Sequence, residues 1–258
     1  MRYIDVHCHI NQEDYGSVDK LIENIKAAGV EKIISAGFDL PSSEYGKELS
    51  EKYEGVYFTA GFHPTELKGY SEHLLERIEE LALNKKCVAI GEIGLDYHYP
   101  DTNKELQYKA FRAQLELADR LKLPVQIHSR DCAEDMLGIL KEYAPFKYGA
   151  LLHCYSHSTE LSKEFEKLGI YFSFGGTSTW SGSKKAKRTI SALPLNIILT
   201  ETDSPYLPPK SKYGTFPNTP ESIPEIAQNI AEIKGKTCEE VTSQVWSNAH
   251  TLFTKLNN

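Results

Sequence analysis

Short apolar runs alternate with longer amphipathic segments along the whole chain of 258 residues. The short runs have the length and composition of buried strands, and the longer segments repeat apolar residues at helical spacing. Strands separated by helical segments are typical of parallel pairing through crossover helices. The eight predicted strands are Tyr3–His7, Lys32–Ala36, Val56–Gly61, Cys87–Glu92, Pro124–His128, Ala150–His153, Ile170–Phe174 and Asn196–Thr200.

Eight strand–helix units are the number that closes a (β/α)8 barrel, and such barrels typically have about 250 residues. No linker or low-complexity segment divides the chain. We therefore predict an α/β fold, a (β/α)8 TIM barrel, as a single domain over residues 1–258.

Helix starts are predicted from N-terminal capping residues. The signals are Thr102 with Glu105, Thr237 with Glu240, and Thr219 followed by Pro220.

Composition adds expectations about the compartment and the ligands. The five cysteines are odd in number and form no CxxC pair, which indicates free thiols in a reducing compartment. The chain starts directly on the first predicted strand, with no signal segment and no bilayer-length apolar stretch, so we expect a cytoplasmic protein without membrane contact. A net charge of −7 argues against binding long duplexes, although bound metal ions can supply positive charge locally. No protein partner is indicated.

Histidines collect where the predicted strands end, which is where barrel enzymes place their active sites. Five of the nine histidines lie there, namely His7, His9, His63, His128 and His153. His7 and His9 are two residues apart, so in extended chain they point to the same side and can chelate one ion. The alternative for this pair is two partly buried, hydrogen-bonded histidines.

Carboxylates complete the pattern. Glu92 lies at the mouth of an apolar strand, where a carboxylate is costly unless it is paired or binds a cation, and its two oxygens can bridge two ions. The alternative is a salt bridge to Arg130. Asp96 is interpreted as a group that fixes the loop or supports a ligand. Asp203 lies beyond the last strand, within reach of an ion or its water, whereas Glu201 is interpreted as a structural carboxylate beneath the site.

Together these side chains are sufficient for two divalent ions, and imidazole and carboxylate ligands suit Zn²⁺, Mn²⁺ or a related ion such as Mg²⁺. The proposed ligands are His7, His9, Glu92, His128, His153 and Asp203.

Six motifs, in order along the chain, resemble the TatD-type deoxyribonucleases, a branch of the metal-dependent hydrolase barrels. They are Ile4–His9, Gly61–Pro64, Ile90–Tyr97, Pro124–Arg130, His153–Ser156 and Thr200–Leu207. The resemblance implies a (β/α)8 barrel with His7, His9 and Asp203 on one ion, His128 and His153 on the other, and Glu92 between them. It also implies phosphodiester hydrolysis, typically exonucleolytic trimming of DNA from single-stranded or 3′ ends.

A two-metal hydrolysis is our hypothesis for the reaction, and it assigns roles to four residues. Asp203 and Glu92 are the expected catalytic residues, with Asp203 orienting or deprotonating the attacking water. His63 resembles the position that faces the scissile phosphate. Arg130 is a candidate phosphate contact, with pairing to Glu92 or Asp96 as the alternative.

One segment departs from the family pattern. Members usually carry Arg-Gly-Lys-Arg-Asn-Glu-Pro after the Asp203 motif, whereas residues Tyr213–Pro220 keep the asparagine and the last proline without the basic residues. Substrate choice is therefore open. If bases are bound, Tyr206, Phe216 and Trp180 are stacking candidates, with core or loop packing as the alternative for each. The basic cluster Lys184, Lys185, Lys187 and Arg188 is interpreted as a solvated helix start.

Two other functional classes are compatible with the fold. One is a hydrolase of amides, lactones or phosphotriesters; many of these bridge their ions with a carboxylated lysine on the fourth strand, a position that Glu92 occupies here. The other is a non-catalytic metal-binding barrel, in which at least one ligand position should have been lost.

Overall fold

The computed structural model describes residues 1–257 and contains a single eight-stranded parallel sheet with the strands in sequential order. The predicted (β/α)8 architecture is confirmed. The strands are β1 (Tyr3–Cys8), β2 (Val30–Ser35), β3 (Val56–Ala60), β4 (Cys87–Asp96), β5 (Val125–Arg130), β6 (Ala150–Leu152), β7 (Ile170–Phe174) and β8 (Ile198–Thr200).

Helices follow the strands and pack around the barrel. They are α1 (Gln12–Tyr15), α2 (Val18–Ala27), α3 (Leu40–Lys52), α4 (Glu72–Ala82), α5 (Lys104–Leu121), α6 (Ala133–Tyr143), α7 (Thr159–Glu166), α8 (Lys184–Ala192), α9 (Ile223–Lys234) and α10 (Cys238–Leu252). None of the described helices combines the length and the apolar character needed to cross a bilayer.

Hydrophobic burial holds the barrel together. All ten residues of β4 are buried, and α5 turns Phe111, Leu115 and Ala118 toward the sheet, as its apolar spacing predicts. Buried apolar area of this extent is the main favourable term in folding. The loops at the carboxyl ends of the strands are therefore anchored to a well-packed barrel.

Several element boundaries differ from the predictions. β4 continues to Asp96, four residues beyond Glu92, because it stays paired with β5. β8 is shorter, because Leu195–Ile197 form a turn of 3-10 helix.

Two of the three helix starts also differ. Helix α5 is capped by Asn103, whose side chain accepts from Leu106 N, while the Thr102 hydroxyl donates to the Tyr99 carbonyl. Thr219 and Pro220 open a 3-10 turn without a side-chain cap, and α9 begins after it. The capping box of Thr237 with Glu240 is confirmed.

The barrel closes between β8 and β1 mainly through side chains. Thr200 Oγ1 donates to Ile4 O at 2.9 Å, and Asp5 accepts from Thr202 N and from Thr202 Oγ1 at 3.0 and 2.5 Å. Beyond them, Asp203 N donates to His7 O at 3.0 Å. This seam fixes the residues that follow β8 against those that end β1.

Candidate metal centre

The structure brings the six proposed ligands together at the carboxyl end of the barrel. His7 lies in β1 and His9 just beyond it, Glu92 in β4, His128 in β5, His153 directly after β6, and Asp203 three residues after β8. All six are buried or nearly so.

A bulge in β4 aims Glu92 into this site. Ile90 pairs with Val125 and Ile93 with Ile127, so β4 carries one extra residue between the two pairs. Such bulges bend a strand and redirect a side chain. The neighbouring Gly91 is required by close packing, since a Cβ there would lie 2.7 Å from the Cβ of Gln126.

The first group of ligand atoms surrounds one point. His7 Nε2 and His9 Nε2 are 3.2 Å apart, Glu92 Oε2 is 3.6 and 3.7 Å from them, and Asp203 Oδ1 is 3.5 and 3.4 Å from them. Ligand atoms of a tetrahedral zinc centre with bonds of about 2.0–2.1 Å are about 3.3–3.4 Å apart. The five separations therefore fit the edges of one coordination shell.

The second group uses the other oxygen of Glu92. His153 Nε2 is 2.8 Å and His128 Nδ1 3.0 Å from Glu92 Oε1, and the two imidazole nitrogens are 3.3 Å apart. The rings of His153 and His7 stack with centroids 3.8 Å apart. One carboxylate thus faces two adjacent sets of donors.

Neutral acceptors orient the two histidines of the first group. His7 Nδ1 donates to Gln126 Oε1 at 2.8 Å, and the amide is held in this orientation because its Nε2 donates to Val6 O. His9 Nδ1 donates to the carbonyl of Ala36 at 3.1 Å. Both rings therefore keep the proton on Nδ1 and turn the Nε2 lone pair toward the site.

Carboxylates contact the outer ring nitrogens of the two histidines of the second group. His128 Nε2 donates to Asp96 Oδ2 at 3.0 Å, and its Nδ1 faces Glu92 Oε1. His153 Nδ1 lies 3.8 Å from Glu201 Oε2, and that oxygen accepts from Ser173 Oγ at 2.5 Å. Glu201 is fully buried beneath the site, and the other ring nitrogen of His153 faces Glu92.

The electrostatics favour a bound cation. Among residues 1–257, neither Glu92 nor Asp203 forms an ion pair with a lysine or arginine; their partners are histidines. Burial acts to raise the pKa of Glu92, but interactions with the surrounding histidines, His153 foremost, hold it well below its ordinary value. Burial lowers the pKa of His7 well below its ordinary value, whereas contacts with carboxylates outweigh burial and raise the pKa of His9, His128 and His153. The donor set fits divalent metal ions.

His63 lies beside this cluster. Its Nδ1 accepts from Thr65 N at 3.2 Å, so Nε2 carries the proton, and Nε2 is 3.5 Å from Glu92 Oε1. Burial lowers the pKa of His63 to about 4, which makes it a neutral N–H donor at pH 7.

Arg130 ends β5 with an exposed side chain. Within residues 1–257 it makes no ion pair with a carboxylate, so the alternative pairing with Glu92 or Asp96 is absent from the described part of the chain. Asp96 instead touches His128 and accepts from His98 N at 2.8 Å.

Sequence reasoning missed Gln126 and Asn218. Gln126 lies in the Pro124–Arg130 motif, and the signal was a polar residue between the buried apolar residues Val125 and Ile127. Asn218 is fully buried; its Nδ2 donates to Tyr206 O at 2.8 Å and to Thr202 O at 3.3 Å. It ties the loop after β8 to the segment that carries Asp203.

The fold and the site define a metal-dependent hydrolase barrel. The family model described as TatD related DNase matches residues 4–254, and the chain belongs to this family. Both predictions, the barrel hydrolase and its family, are confirmed.

Three relatives show how close the likeness is. An uncharacterized metal-dependent hydrolase, YabD of Bacillus subtilis strain 168, is 40% identical over 250 residues, covering 96% of this chain and 98% of the relative. The 3′-5′ ssDNA/RNA exonuclease TatD of Klebsiella pneumoniae strain 342 is 33% identical, covering 91% of each chain. The crystal structure of YjjV, a TatD homolog from Escherichia coli K12, superposes with a TM-score of 0.93 at 32% identity, covering 98% of each chain.

Proposed function

We propose that this protein hydrolyses phosphodiester bonds at the ends of nucleic acid strands, with two divalent ions that share Glu92. The observation that carries the proposal is that the two oxygens of the Glu92 carboxylate face different pairs of histidines. Oε2 faces His7 and His9, while Oε1 faces His128 and His153.

His7, His9, Glu92 and Asp203 would hold one ion, and Glu92, His128 and His153 the other. Zn²⁺, Mn²⁺ and Mg²⁺ are the candidate ions. Bound there, a divalent pair lowers the pKa of water and neutralises charge on the phosphoryl oxygens.

Asp203 is the proposed proton acceptor. Burial acts to raise the pKa of Asp203, but the hydrogen-bonding contact with His9 lowers it below its ordinary value. The carboxylate is therefore ionised at neutral pH and, besides the oxygen that faces the histidines, has a second oxygen to orient and deprotonate the attacking water.

His63 and Arg130 are the proposed phosphate contacts. The neutral His63 directs Nε2–H into the site beside Glu92 and would donate to a phosphoryl oxygen as charge develops there. Arg130 is exposed at the rim and unpaired with carboxylates among the described residues, so its guanidinium is available for a forked contact.

The substrate class follows from the family and from one relative. The Klebsiella relative is named a 3′-5′ exonuclease of ssDNA and RNA, so we propose single-stranded DNA or 3′ ends as the substrate of this chain. We also propose that it works in the cytoplasm, in keeping with five free cysteines, three of them buried.

A metal-stripped preparation, resupplied separately with Mg²⁺, Mn²⁺ or Zn²⁺, tests the proposal on single-stranded DNA labelled at the 5′ or 3′ end. We expect metal-dependent stepwise shortening from the 3′ end, lost in Glu92→Gln and Asp203→Asn. Glu23→Gln is the matched control, because Glu23 is exposed on α2 and, within residues 1–257, pairs only with Lys20.

Absence of cleavage with every ion, in a folded protein that retains metal, would contradict the proposal. A small amide, lactone or phosphoester would then be the substrate class to test.

A further inference from the structure

Large exposed hydrophobic side chains are few in residues 1–257, and the aromatic ones lie in loops at the same end of the barrel as the metal centre. Tyr99 follows β4, while Tyr206, Tyr213 and Phe216 follow β8, all at the carboxyl end of the barrel. The other two, Met1 and Leu83, precede strands and lie at the opposite end. Exposed rings contribute nothing to the core, so a cluster at the mouth points to a ligand.

Tyr206 and Phe216 form a row that leads outward from the first ligand group. The Tyr206 ring centroid is 6.3 Å from that of His9, and the Phe216 centroid is 6.4 Å from that of Tyr206. Tyr206 is 54% and Phe216 62% exposed, so each ring has a free face.

The backbone beneath these rings is anchored. Asn218 N donates to Pro205 O at 2.8 Å, and the Asn218 amide donates to Tyr206 O. Ser222 Oγ donates to Asn218 Oδ1 at 2.9 Å. The two rings are thus presented on a braced loop, which limits the ordering cost of binding.

Trp180, by contrast, is a packing residue. Its Nε1 donates to Pro208 O at 2.9 Å, and its ring meets Tyr213 edge-on with centroids 5.3 Å apart. Trp180 therefore packs against the loop that follows β8.

The loop that carries Tyr206 and Phe216 contains lysines and no acidic residue of its own. From residue 204 to residue 220 the chain contains Lys210 and Lys212 and no acidic residue, although the whole chain has a net charge of −7. Lys184 and Lys185, at the start of α8, are also exposed on the mouth side. Phosphates that pass over these loops come within reach of these lysines.

We propose that Tyr206 and Phe216 form a stacking surface for unpaired nucleobases next to the phosphodiester at the metal centre, a role that rests on the proposed function. Bases of a single strand expose their faces and stack on aromatic rings, whereas bases inside a duplex do not. The surface takes the place of the basic segment that family members usually carry in this loop, and it selects single strands through their bases.

Fluorescence anisotropy with a phosphorothioate oligothymidylate about ten nucleotides long measures this binding without cleavage, using the metal-loaded protein. We expect Phe216→Ala to weaken binding about tenfold and Phe216→Trp to restore it. Leu83→Ala is the matched control, since Leu83 is 71% exposed at the opposite end of the barrel, and it should bind like the wild type.

An abasic strand of the same length shows how much of the binding depends on the bases, because it contains the backbone alone. We expect Phe216→Ala and the wild type to bind it equally, because only the backbone is present. Equal affinity of the two proteins for the oligothymidylate would overturn the proposal, as would an equal loss on both strands.

Cleavage of an ordinary oligonucleotide by the wild type, measured in parallel, separates this inference from the proposed function. A wild type that cleaves but binds no better than Phe216→Ala overturns the stacking surface alone. Ring-dependent binding without cleavage supports the surface and contradicts the proposed reaction.

Discussion

Oε1 of Gln126 lies 2.8 Å from Nδ1 of His7, and Nε2 of the same amide donates to the Val6 carbonyl at 2.7 Å. One buried glutamine therefore sets both the tautomer and the orientation of a proposed ligand. His7 is fully buried, so solvent cannot replace this contact.

Gln126→Leu should weaken binding of the first ion about 10- to 100-fold, because the ring loses the acceptor that holds the proton on Nδ1. Metal competition against a chromogenic chelator measures the change. Gln114→Leu is the control: the side chain of this buried glutamine hydrogen-bonds the backbone of Phe62 and, in the described part of the chain, no other group, so the variant should lose stability but keep the affinity for metal. Equal affinities in wild type and Gln126→Leu would refute the role of Gln126.

Gly91→Ala should destabilise the protein by about 1–3 kcal/mol, since the new methyl group would press against Gln126 Cβ and O at 2.7 and 2.9 Å. Urea unfolding measures the difference. Gly138→Ala, in the middle of α6 with no heavy atom within 4 Å of the added Cβ, should instead stabilise by about 0.5–1 kcal/mol. A Gly91→Ala protein as stable as the wild type would show that the strand can move away at no cost.

Asn218→Ala should cost about 1–3 kcal/mol, because the carbonyls of Thr202 and Tyr206 and the hydroxyl of Ser222 lose a buried partner. Hydrogen exchange should also become faster in the loop that carries Tyr206. Asn103→Ala, which removes the cap of α5, serves as a control that loses stability without affecting exchange in that loop. Unchanged exchange at Tyr206 would contradict the bracing role.

Asp135 gives a pH-dependent contribution to stability. Hydroxyl groups of Tyr108 and Tyr97, at 2.6 and 2.7 Å, lower its pKa below the ordinary 3.8. A lowered carboxyl pKa stabilises the folded state above the unfolded-state value, and this stability is lost as pH falls through the folded-state pKa. Asp135→Asn should therefore be less stable than the wild type at pH 7, and the difference should shrink below about pH 4. A difference that is constant with pH would exclude this linkage.

The fold was predictable because each strand is an apolar run and each helix has a polar face. β7, Ile170–Phe174, has its predicted boundaries. Positions without a periodic signal were not predictable: the extension of β4 to Asp96 depends on its pairing with β5, and the turn at Leu195 shortens β8.

The proposed ligands were found because histidine and carboxylate are informative residue types at strand ends. The groups that orient them carry weaker signals. Gln126 and Asn218 are ordinary polar residues whose roles come from contacts across the barrel, and His9 is oriented by the backbone of Ala36, which no side-chain pattern reveals. The exposure of Tyr206 and Phe216 likewise appears only once the loop is folded.

The central claim is that Glu92 joins two ions, and electron paramagnetic resonance of the Mn²⁺-loaded protein tests it most directly. We expect two equivalents of Mn²⁺ per chain, with the exchange-coupled spectrum of a carboxylate-bridged pair, and loss of the coupling in Glu92→Ala but not in Glu23→Ala. A single equivalent, or two ions with uncoupled spectra in the wild type, would contradict the account.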